Sequence, residues 1–325
     1  MKIFLTGGCG FIGSALACRL LADGHNVTVF DNMSVGSVKF LRDTGKNARV
    51  RIINGDVANF SRVNKSIKGH DFVYHLAANA NLPLGVANTR IDLESNLIGT
   101  YNILECMRRH RISSIAFTSS SAVYGEPPKS SGPISEDYAS LEPISLYGAS
   151  KLGAEAYVTA FHHMFGLKAW IFRFANVVGP NGTHGVIRDF IIKLRKNPKS
   201  LNVLGDGKQA RSFIYVEDCV DGMMAAVNHS DGTAQAFNLG TVDTTQVDQI
   251  AEIVIREMGL RNVKIIHAGG DRGWVGDVPY LFLDISKIRK LGFSPKFNSE
   301  QSVTLAVRDM LTSSTTRQDQ RLNYS

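Results

Sequence analysis

Tyr147 and Lys151 are the two residues whose types and spacing could move a proton. They lie four positions apart in the segment Ser145-Leu146-Tyr147-Gly148-Ala149-Ser150-Lys151, at the head of a predicted helix. This spacing places both side chains on one face, one turn apart. A tyrosine hydroxyl ionises near pH ~10, but a nearby ammonium favours the phenolate and lowers that pKa, so the phenol could exchange a proton near neutral pH. Because the same spacing is common on exposed helices, the meaning of the pair depends on the elements that position it.

A glycine-rich turn near the N-terminus predicts a nucleotide site. Residues 2–6 read as an apolar strand, followed by Gly7-Gly8-Cys9-Gly10-Phe11-Ile12-Gly13, a helix, and a second strand from Asn26 to Phe30 that ends at Asp31. The glycines allow the backbone to approach a pyrophosphate, which then lies at the helix N-terminus. Asp31 would bond the ribose hydroxyls and repel a 2′-phosphate, which favours NAD over NADP.

Alternation of strands and helices continues to about residue 178. Strands are predicted near 51–57, 71–78, 114–118 and 168–174, with long helices near 90–110 and 147–165. This pattern indicates an α/β fold, a Rossmann-like doubly wound parallel sheet. Ligands in such sheets bind beyond the carboxyl ends of the strands. One rim is therefore expected to collect the residues at those ends: Asp31, Asp56, Ala77, Ser119 to Ser121 and Asn176.

Beyond Gly179 the alternation loosens. We predict a Rossmann domain over 1–178, with contributions from later segments, and a smaller mixed α/β substrate lobe over 179–311. The final helix is expected from about Glu300 to Leu311. Residues 312–325 are polar and lack periodicity, so we expect a disordered tail.

Composition excludes several classes of protein. The 325 residues are 44% hydrophobic and 20% charged, with a net charge of +7, as in ordinary globular proteins. No apolar run reaches bilayer length, and the N-terminal apolar stretch breaks into glycines, so we expect a cytoplasmic protein with no membrane partner. The four scattered cysteines indicate neither a metal site nor a disulfide framework. No basic block with interleaved aromatics suggests nucleic acid.

Taken in order, these motifs resemble the extended short-chain dehydrogenase/reductase family, and within it the nucleotide-sugar epimerases. The resemblance covers residues 1 to about 310. The other motifs that support the resemblance are Asp56-Val57, His75-Leu76-Ala77-Ala78, Asn96, the serine cluster Ser119 to Ser121, Arg173 to Pro180, and Gly205-Asp206-Gly207 with Arg211.

The resemblance implies an NAD-dependent isomerase that inverts C4 of a nucleotide sugar, most simply of the UDP-glucose/UDP-galactose type. Tyr147 would take the proton of the sugar 4-hydroxyl while NAD takes the hydride from C4, and a 4-keto sugar would turn over before the hydride returns. Lys151 would hold the nicotinamide ribose and lower the Tyr147 pKa. Ser120 would hydrogen-bond the reacting oxygen, although serines at a strand end also simply cap backbone groups.

Two further sets of residues are carried over from the family, and no metal ligand is among them. The cofactor-binding set is Gly7, Gly10, Phe11, Ile12, Gly13, Asp31, Asn32, Ser34, Gly36, Asp56, Val57, Leu76, Ala77, Ala78, Asn96, Ser119, Tyr147, Lys151, Phe174 and Val177. The substrate-binding set is Ser120, Tyr147, Asn176, Val186, Leu201, Asn202, Val203, Arg211, Arg272 and Asp277. Arg211 and Arg272 match the arginines that hold the diphosphate in the family, a role that suits bidentate donors.

The chain departs from the family at three places, and the first of them separates the epimerases from the dehydratases. Sugar 4,6-dehydratases carry Asp-Glu after the catalytic Ser/Thr, whereas this chain has Ser121 and Ala122, which favours an epimerase. Phe174 stands where many epimerases have Tyr, and the segment from Asn79 to Asn88 differs from the best-known enzymes. A UDP-glucuronate 4-epimerase or decarboxylase, a keto-sugar reductase and a non-catalytic NAD-binding regulator stay open.

The resemblance also implies a homodimer. Relatives pair through the helix that carries Tyr and Lys and the long helix before it, here about Arg90 to His110. The residues that could join such a bundle are Ile98, Tyr101, Leu104, Leu152 and Tyr157.

Overall fold

The architecture is that of a computed structural model, which describes residues 1–44, 49–79, 82–273 and 276–322. Its strands are β1 (Lys2–Thr6), β2 (Asn26–Asp31), β3 (Val50–Asn54), β4 (Phe72–His75), β5 (Ser114–Ser120), β6 (Lys168–Phe174), β7 (Asn176–Val178), β8 (Ser200–Val203), β9 (Ala210–Arg211), β10 (Phe213–Tyr215), β11 (Thr233–Leu239), β12 (Thr245–Gln246), β13 (Lys264–His267) and β14 (Tyr280–Leu281). Its helices are α1 (Phe11–Ala22), α2 (Phe60–Ile67), α3 (Leu82–Ala87), α4 (Arg90–Asp92), α5 (Gly99–His110), α6 (Leu146–Phe165), α7 (Val186–Lys196), α8 (Val216–His229), α9 (Val247–Glu257), α10 (Ser286–Arg289) and α11 (Ser299–Leu322).

A seven-stranded parallel sheet forms the centre, in the order β11-β6-β5-β4-β1-β2-β3. Its inner strands are buried on both faces, and Ile3, Phe4 and Leu5 of β1 have no exposed surface, as expected for strands covered by helices on each side. One face packs against α1 and α8 through residues such as Leu16 and Met223. The other packs against α2, α5 and α6, with Ile103 and Val158 in its core. The predicted doubly wound fold is therefore confirmed.

The later part of the chain builds smaller units around a separate core. Short sheets pair β10 with β7, β13 with β8, and β9 with β12 and β14. Helices α7, α9 and α11 pack together through Phe190, Ile250 and Val303, which are 2%, 0% and 0% exposed. Strand β11 returns to the central sheet beside β6. The domain boundary near residue 178 stays a prediction.

Two predicted helices differ from the observed ones. The helix expected over 90–110 is interrupted, because a π-helical turn, Leu93–Ile98, separates α4 from α5; π turns of this kind are frequent at functional sites. The last helix runs to Leu322 rather than Leu311, and no Gly or Pro within 312–322 is present to end it. The expectation of disorder for 323–325 lies outside the described residues.

Within the described ranges, every helix is too short or too polar to cross a membrane.

Candidate active site

Helix α6 carries both Tyr147 and Lys151 at the carboxyl end of β5. It begins after Ser145, whose hydroxyl accepts the amide of Gly148 at 3.1 Å, the usual N-cap bond. The Lys151 ammonium lies 6.0 Å from the centre of the Tyr147 ring, so the predicted common face is confirmed. Lys151 is only 2% exposed, and its Nζ donates to the Thr118 carbonyl at 2.7 Å.

The electrostatics of the pair correct the sequence prediction. Burial raises the pKa of Tyr147 to about 12; the Ser120 side chain lowers the pKa by a smaller amount than burial raises it, and the Asp92 charge raises it further. Burial lowers the pKa of Lys151 to about 7, against the opposing charges of Glu155 and Asp92. Desolvation is the largest cause of both shifts, so burial raises the phenol pKa, opposite to the acidification expected from Lys151.

The serine cluster lies where β5 ends. The Ser120 hydroxyl accepts the amide of Ala122 at 3.2 Å, and the Ser120 side chain lowers the pKa of the Tyr147 hydroxyl. Ser119 is 3% exposed and its Oγ has no hydrogen-bond partner among the described residues. Ser121 and Ala122 form a 3₁₀ turn with Val123 and Tyr124, so no carboxylate directly follows Ser120.

The glycine turn is packed too closely for side chains at two positions. Gly7 has φ +69° and a Cβ there would lie 2.7 Å from the amide nitrogen of Ala77, so its missing side chain lets β1 approach the end of β4. A Cβ on Gly13 would overlap the Gly7 carbonyl. The amide of Gly10 donates to that carbonyl at 3.0 Å, and Phe11 and Ile12 open α1 directly after it.

Two acidic residues tie the neighbouring strand ends together. Asp31 is 8% exposed; its Oδ2 accepts the amide of Cys9 at 2.9 Å and its Oδ1 accepts that of Met33 at 2.8 Å. Asp56 accepts the Asn32 side chain at 2.8 Å. A carboxylate oxygen can accept a second hydrogen bond, so ribose hydroxyls could still bind Asp31. Asn32 and Ser34 are exposed beside it, and Gly36 abuts the Cys9 carbonyl.

A buried histidine supports the end of β4. The Thr6 hydroxyl accepts the amides of Leu76 and Ala77, each at 3.1 Å, and lies 2.6 Å from His75 Nδ1. The other ring nitrogen of His75 lies 3.0 Å from the Thr100 hydroxyl. Burial, helped by the Lys151 charge, lowers the His75 pKa to about 3, so the ring is neutral. Leu76, Ala77 and Ala78 are partly buried where they follow this strand.

Asn96, predicted to bind the cofactor, is buried within the scaffold. Its side chain is 1% exposed; Nδ2 donates to the Ser150 hydroxyl at 2.9 Å and Oδ1 accepts the amide of Asn79 at 2.8 Å. Val57 is 6% exposed and packs against Gly99. Both residues therefore hold the helices that flank the rim. Of the segment from Asn79 to Asn88 that departs from the family, residues 80 and 81 lie outside the described residues.

Three predicted residues lie where β6 leads into β7. Phe174 ends β6 and is 8% exposed. Asn176 and Val177 belong to β7 and are partly buried, and they pair with Phe213 and Ile214 of β10. This junction brings the central sheet next to the second lobe.

The two arginines predicted to hold a diphosphate are brought together by Asp277. Arg211 forms an ion pair with the Asp277 carboxylate and donates to the Val278 carbonyl. Arg272 donates to the Asp277 carbonyl at 3.1 Å and to Glu126 at 2.8 Å. Any anion that binds these guanidinium groups must therefore compete with carboxylates that already hold them.

Four further residues of the predicted substrate-binding set are divided between the core and the surface. Leu201 and Val203 have no exposed surface and belong to the core of the second lobe, so their side chains cannot contact a ligand. Asn202 between them is exposed, because alternate residues of a strand point to opposite faces. Val186 begins α7 and is partly buried.

A buried ion pair next to Lys151 was missed from the sequence. Glu155, one turn after Lys151, accepts two bonds from Arg173 at 2.7 and 3.0 Å. Arg173 also donates to the Tyr124 hydroxyl at 3.0 Å, and that hydroxyl donates to Asn238 of β11 at 2.7 Å. The four-residue spacing from Lys151 could have drawn attention to Glu155.

The site thus combines a glycine turn over a helix N-terminus, an acid at the end of β2 and a Tyr–Lys pair with a serine. A model of the NAD dependent epimerase/dehydratase family matches residues 3–240. The chain belongs to this family.

Relatives of this family agree along nearly the whole chain. A putative UDP-glucose 4-epimerase of Methanocaldococcus jannaschii is 34% identical over 95% of this chain and 98% of its own. A crystal structure of UDP-galactose 4-epimerase shares 36% identity and superposes with a TM-score of 0.86, over 96% of this chain and 99% of its own. A UDP-glucuronic acid 4-epimerase variant from Bacillus cereus, solved with UDP-4-deoxy-4-fluoro-glucuronic acid and NAD, shares 26% identity with a TM-score of 0.85, over 96% of this chain and 100% of its own.

The protein is an enzyme, and NAD is its cofactor. The residues present fit this group. Helix α1 begins after Gly10 with no side-chain cap on its first amides, which suits a pyrophosphate. The Ser119 hydroxyl, unpartnered within the described ranges, offers a buried polar atom at the rim.

Proposed function

We propose that this enzyme inverts C4 of a UDP-sugar, with UDP-glucose and UDP-galactose as its substrates. The observation that carries the proposal is the half-buried Tyr147 beside the buried Lys151 and near Ser120, with no acid after that serine. Elimination of water from C5 and C6, the dehydratase reaction, needs an added acid and base. Ser121 and Ala122 supply neither.

Bound NAD would supply the hydride acceptor and a positively charged ring at the site. Tyr147 takes the proton of the sugar 4-hydroxyl and returns it after the 4-keto sugar has turned over. Its pKa of about 12 must fall for this step, and cationic neighbours favour the phenolate. Ser120 bonds the reacting oxygen and Lys151 orients the ribose of the cofactor, so that this chain provides the proton path and the alignment.

The nucleotide must stay anchored while the sugar turns over. Arg211 and Arg272 are suited to hold the diphosphate because a guanidinium binds phosphate through two parallel bonds. Both groups contact Asp277: Arg211 pairs with its carboxylate and Arg272 donates to its carbonyl at 3.1 Å. Asn176 lies at the same junction between the lobes and would contact a phosphate.

The second candidate is a UDP-glucuronate 4-epimerase, the activity named for one of the structural relatives above. The two are separated by incubating the purified enzyme with UDP-glucose, UDP-galactose, UDP-glucuronate and their GDP, CDP and dTDP counterparts. Products are analysed for C4 inversion by chromatography and NMR. The proposal requires inversion of UDP-glucose; turnover of UDP-glucuronate alone would replace it with the second candidate, and carbon dioxide release would indicate a decarboxylase. Inversion of none of these sugars would overturn both.

We further infer a homodimer through α5 and α6. Ile98, Tyr101 and Tyr157 are 42%, 40% and 45% exposed, and the two tyrosine rings contact each other edge to face across the helices. Leu104, also predicted for this surface, is instead fully buried in the core. Size-exclusion chromatography with light scattering should give twice the mass of 35.5 kDa, and Tyr101→Glu with Tyr157→Glu should return the monomer. A monomeric wild-type enzyme would contradict the inference.

A further inference from the structure

Asp92, the last residue of α4, is a buried acid that the proposed mechanism does not use. It is 1% exposed and directly precedes the π turn Leu93–Ile98. Its Oδ1 accepts Asn79 Nδ2 at 2.9 Å and Asn96 Nδ2 at 3.4 Å. Its Oδ2 is buried without a hydrogen-bond partner among the described residues. A buried carboxylate held this way costs stability, so its retention calls for a role.

A glycine of helix α3 leaves space for the Asp92 carboxylate. Helix α3 covers Asp92 with Gly85, and a Cβ on Gly85 would overlap Oδ2. Helix α3 also packs against α4 and α6. Gly85 and the buried acid therefore belong to one packing unit beside α6.

Asp92 is joined to the first turn of α6 through hydrogen bonds. Asn96 Nδ2, which it partly holds, donates to the Ser150 hydroxyl at 2.9 Å. That hydroxyl donates to the Tyr147 carbonyl at 2.8 Å. The chain from Asp92 to Tyr147 thus fixes the turn on which the phenol stands.

We propose that Asp92 is a positioning residue for the Tyr147–Lys151 pair: its carboxylate holds the first turn of α6 through Asn96 and Ser150 and keeps a negative charge near Lys151. The proposal deepens the proposed function and rests on it for the effect on turnover. A negative charge stabilises the ammonium and opposes the phenolate. Asp92 accordingly raises the pKa of Lys151 and of Tyr147. Removing the charge must move both titrations toward lower pH.

The other groups that face Lys151 set the background for this effect. They are Tyr147 and Glu155 on α6, His75 on β4, and Arg173 on β6 behind Glu155. Glu155 is paired with Arg173 and still raises the Lys151 pKa, and His75 is neutral. Asp92 is then the acid near Lys151 that has no cationic partner within the described ranges.

The test is the variant Asp92→Asn, which removes the negative charge but keeps the shape of the side chain. The Lys151 titration is followed by NMR of the ¹³C-labelled lysine Cε in the NAD-loaded enzyme, with the signal assigned from its loss in Lys151→Arg. We expect the Lys151 pKa to fall by about one unit, a tenfold change in its protonation equilibrium, and the pH profile of kcat to move the same way. Glu94→Gln is the control, because Glu94 lies two residues away and pairs with exposed Arg90; it should move neither.

An unchanged Lys151 titration in Asp92→Asn would overturn the proposal, and so would a kcat lowered equally at every pH, which is the mark of a purely structural role. If that variant fails to fold, Gly85→Ala displaces the carboxylate without removing its charge, and a wild-type titration and kcat in that variant would also overturn it. The NMR readout needs no turnover. A shifted Lys151 titration in an enzyme that inverts no sugar would therefore contradict the proposed function but still support the role of Asp92.

Discussion

The buried Glu155–Arg173 pair gives the sharpest prediction of this structure. Both side chains are 7% exposed, and the carboxylate accepts two guanidinium bonds at 2.7 and 3.0 Å. Removing one partner of such a pair leaves an uncompensated buried charge, which costs about 3–5 kcal/mol. Glu155→Gln keeps one neutral acceptor for Arg173. We therefore expect the free energy of unfolding to fall by an amount near the lower limit of this range, about 3 kcal/mol.

This loss converts to a thermal shift that is easily measured. In a large domain each kcal/mol lowers Tm by about 2 °C, so Glu155→Gln should melt about 6 °C below the wild type. Calorimetry on both proteins, each saturated with NAD, keeps the stabilisation by ligand equal. The variant should also show a lower Lys151 pKa, because Glu155 raises it.

The matched control is Glu257→Gln. Glu257 also accepts two bonds from one arginine, Arg308, at 2.7 and 3.1 Å, but the arginine side chain is 60% exposed. A pair this open to solvent contributes about 0–1 kcal/mol, so this variant should melt close to the wild type. Equal Tm values for Glu155→Gln and Glu257→Gln would refute the reasoning, because burial would then not determine how much stability is lost when an ion pair is broken.

Two more variants test the site. Between pH about 7 and its unfolded value of 10.5, buried Lys151 binds fewer protons than it does in the unfolded chain, so the free energy of unfolding rises with pH in that window. Lys151→Met should remove this slope in denaturant titrations and abolish turnover; an unchanged slope would contradict the assignment. Asp31→Ala leaves the Cys9 and Met33 amides without their acceptor and should weaken NAD binding by about tenfold or more in calorimetric titration, whereas unchanged affinity would exclude Asp31 from the cofactor site.

Local patterns were enough to predict the sheet, the glycine turn and the face shared by Tyr147 and Lys151. Each of these depends on residues within a turn or a strand of one another, where period and sterics decide the structure. The end of β11 near Leu239 was also predicted, but its place beside β6 depends on contacts distant in sequence. No local pattern indicated the π turn.

The charges of the site were the least predictable from sequence. The spacing of Lys151 and Tyr147 suggested an acidic phenol, but burial of both groups reverses the direction of that shift. Asp92 and Asn96 show the same limit. Only the folded chain reveals that Asp92 Oδ2 is buried with no hydrogen-bond partner among the described residues, and that Asn96 is buried and bonded to Ser150. Burial is a property of the tertiary structure, and it sets these pKa values.

The fate of the hydrogen on C4 tests the central claim most directly. UDP-glucose carrying deuterium at C4 is incubated with the NAD-loaded enzyme in ordinary water, and the UDP-galactose formed is examined by NMR and mass spectrometry. If C4 is oxidised and reduced within one site, with Tyr147 moving only the hydroxyl proton, the deuterium stays on C4 of the product, and Tyr147→Phe forms almost no product. Loss of the deuterium to solvent, or full turnover by Tyr147→Phe, would contradict the account.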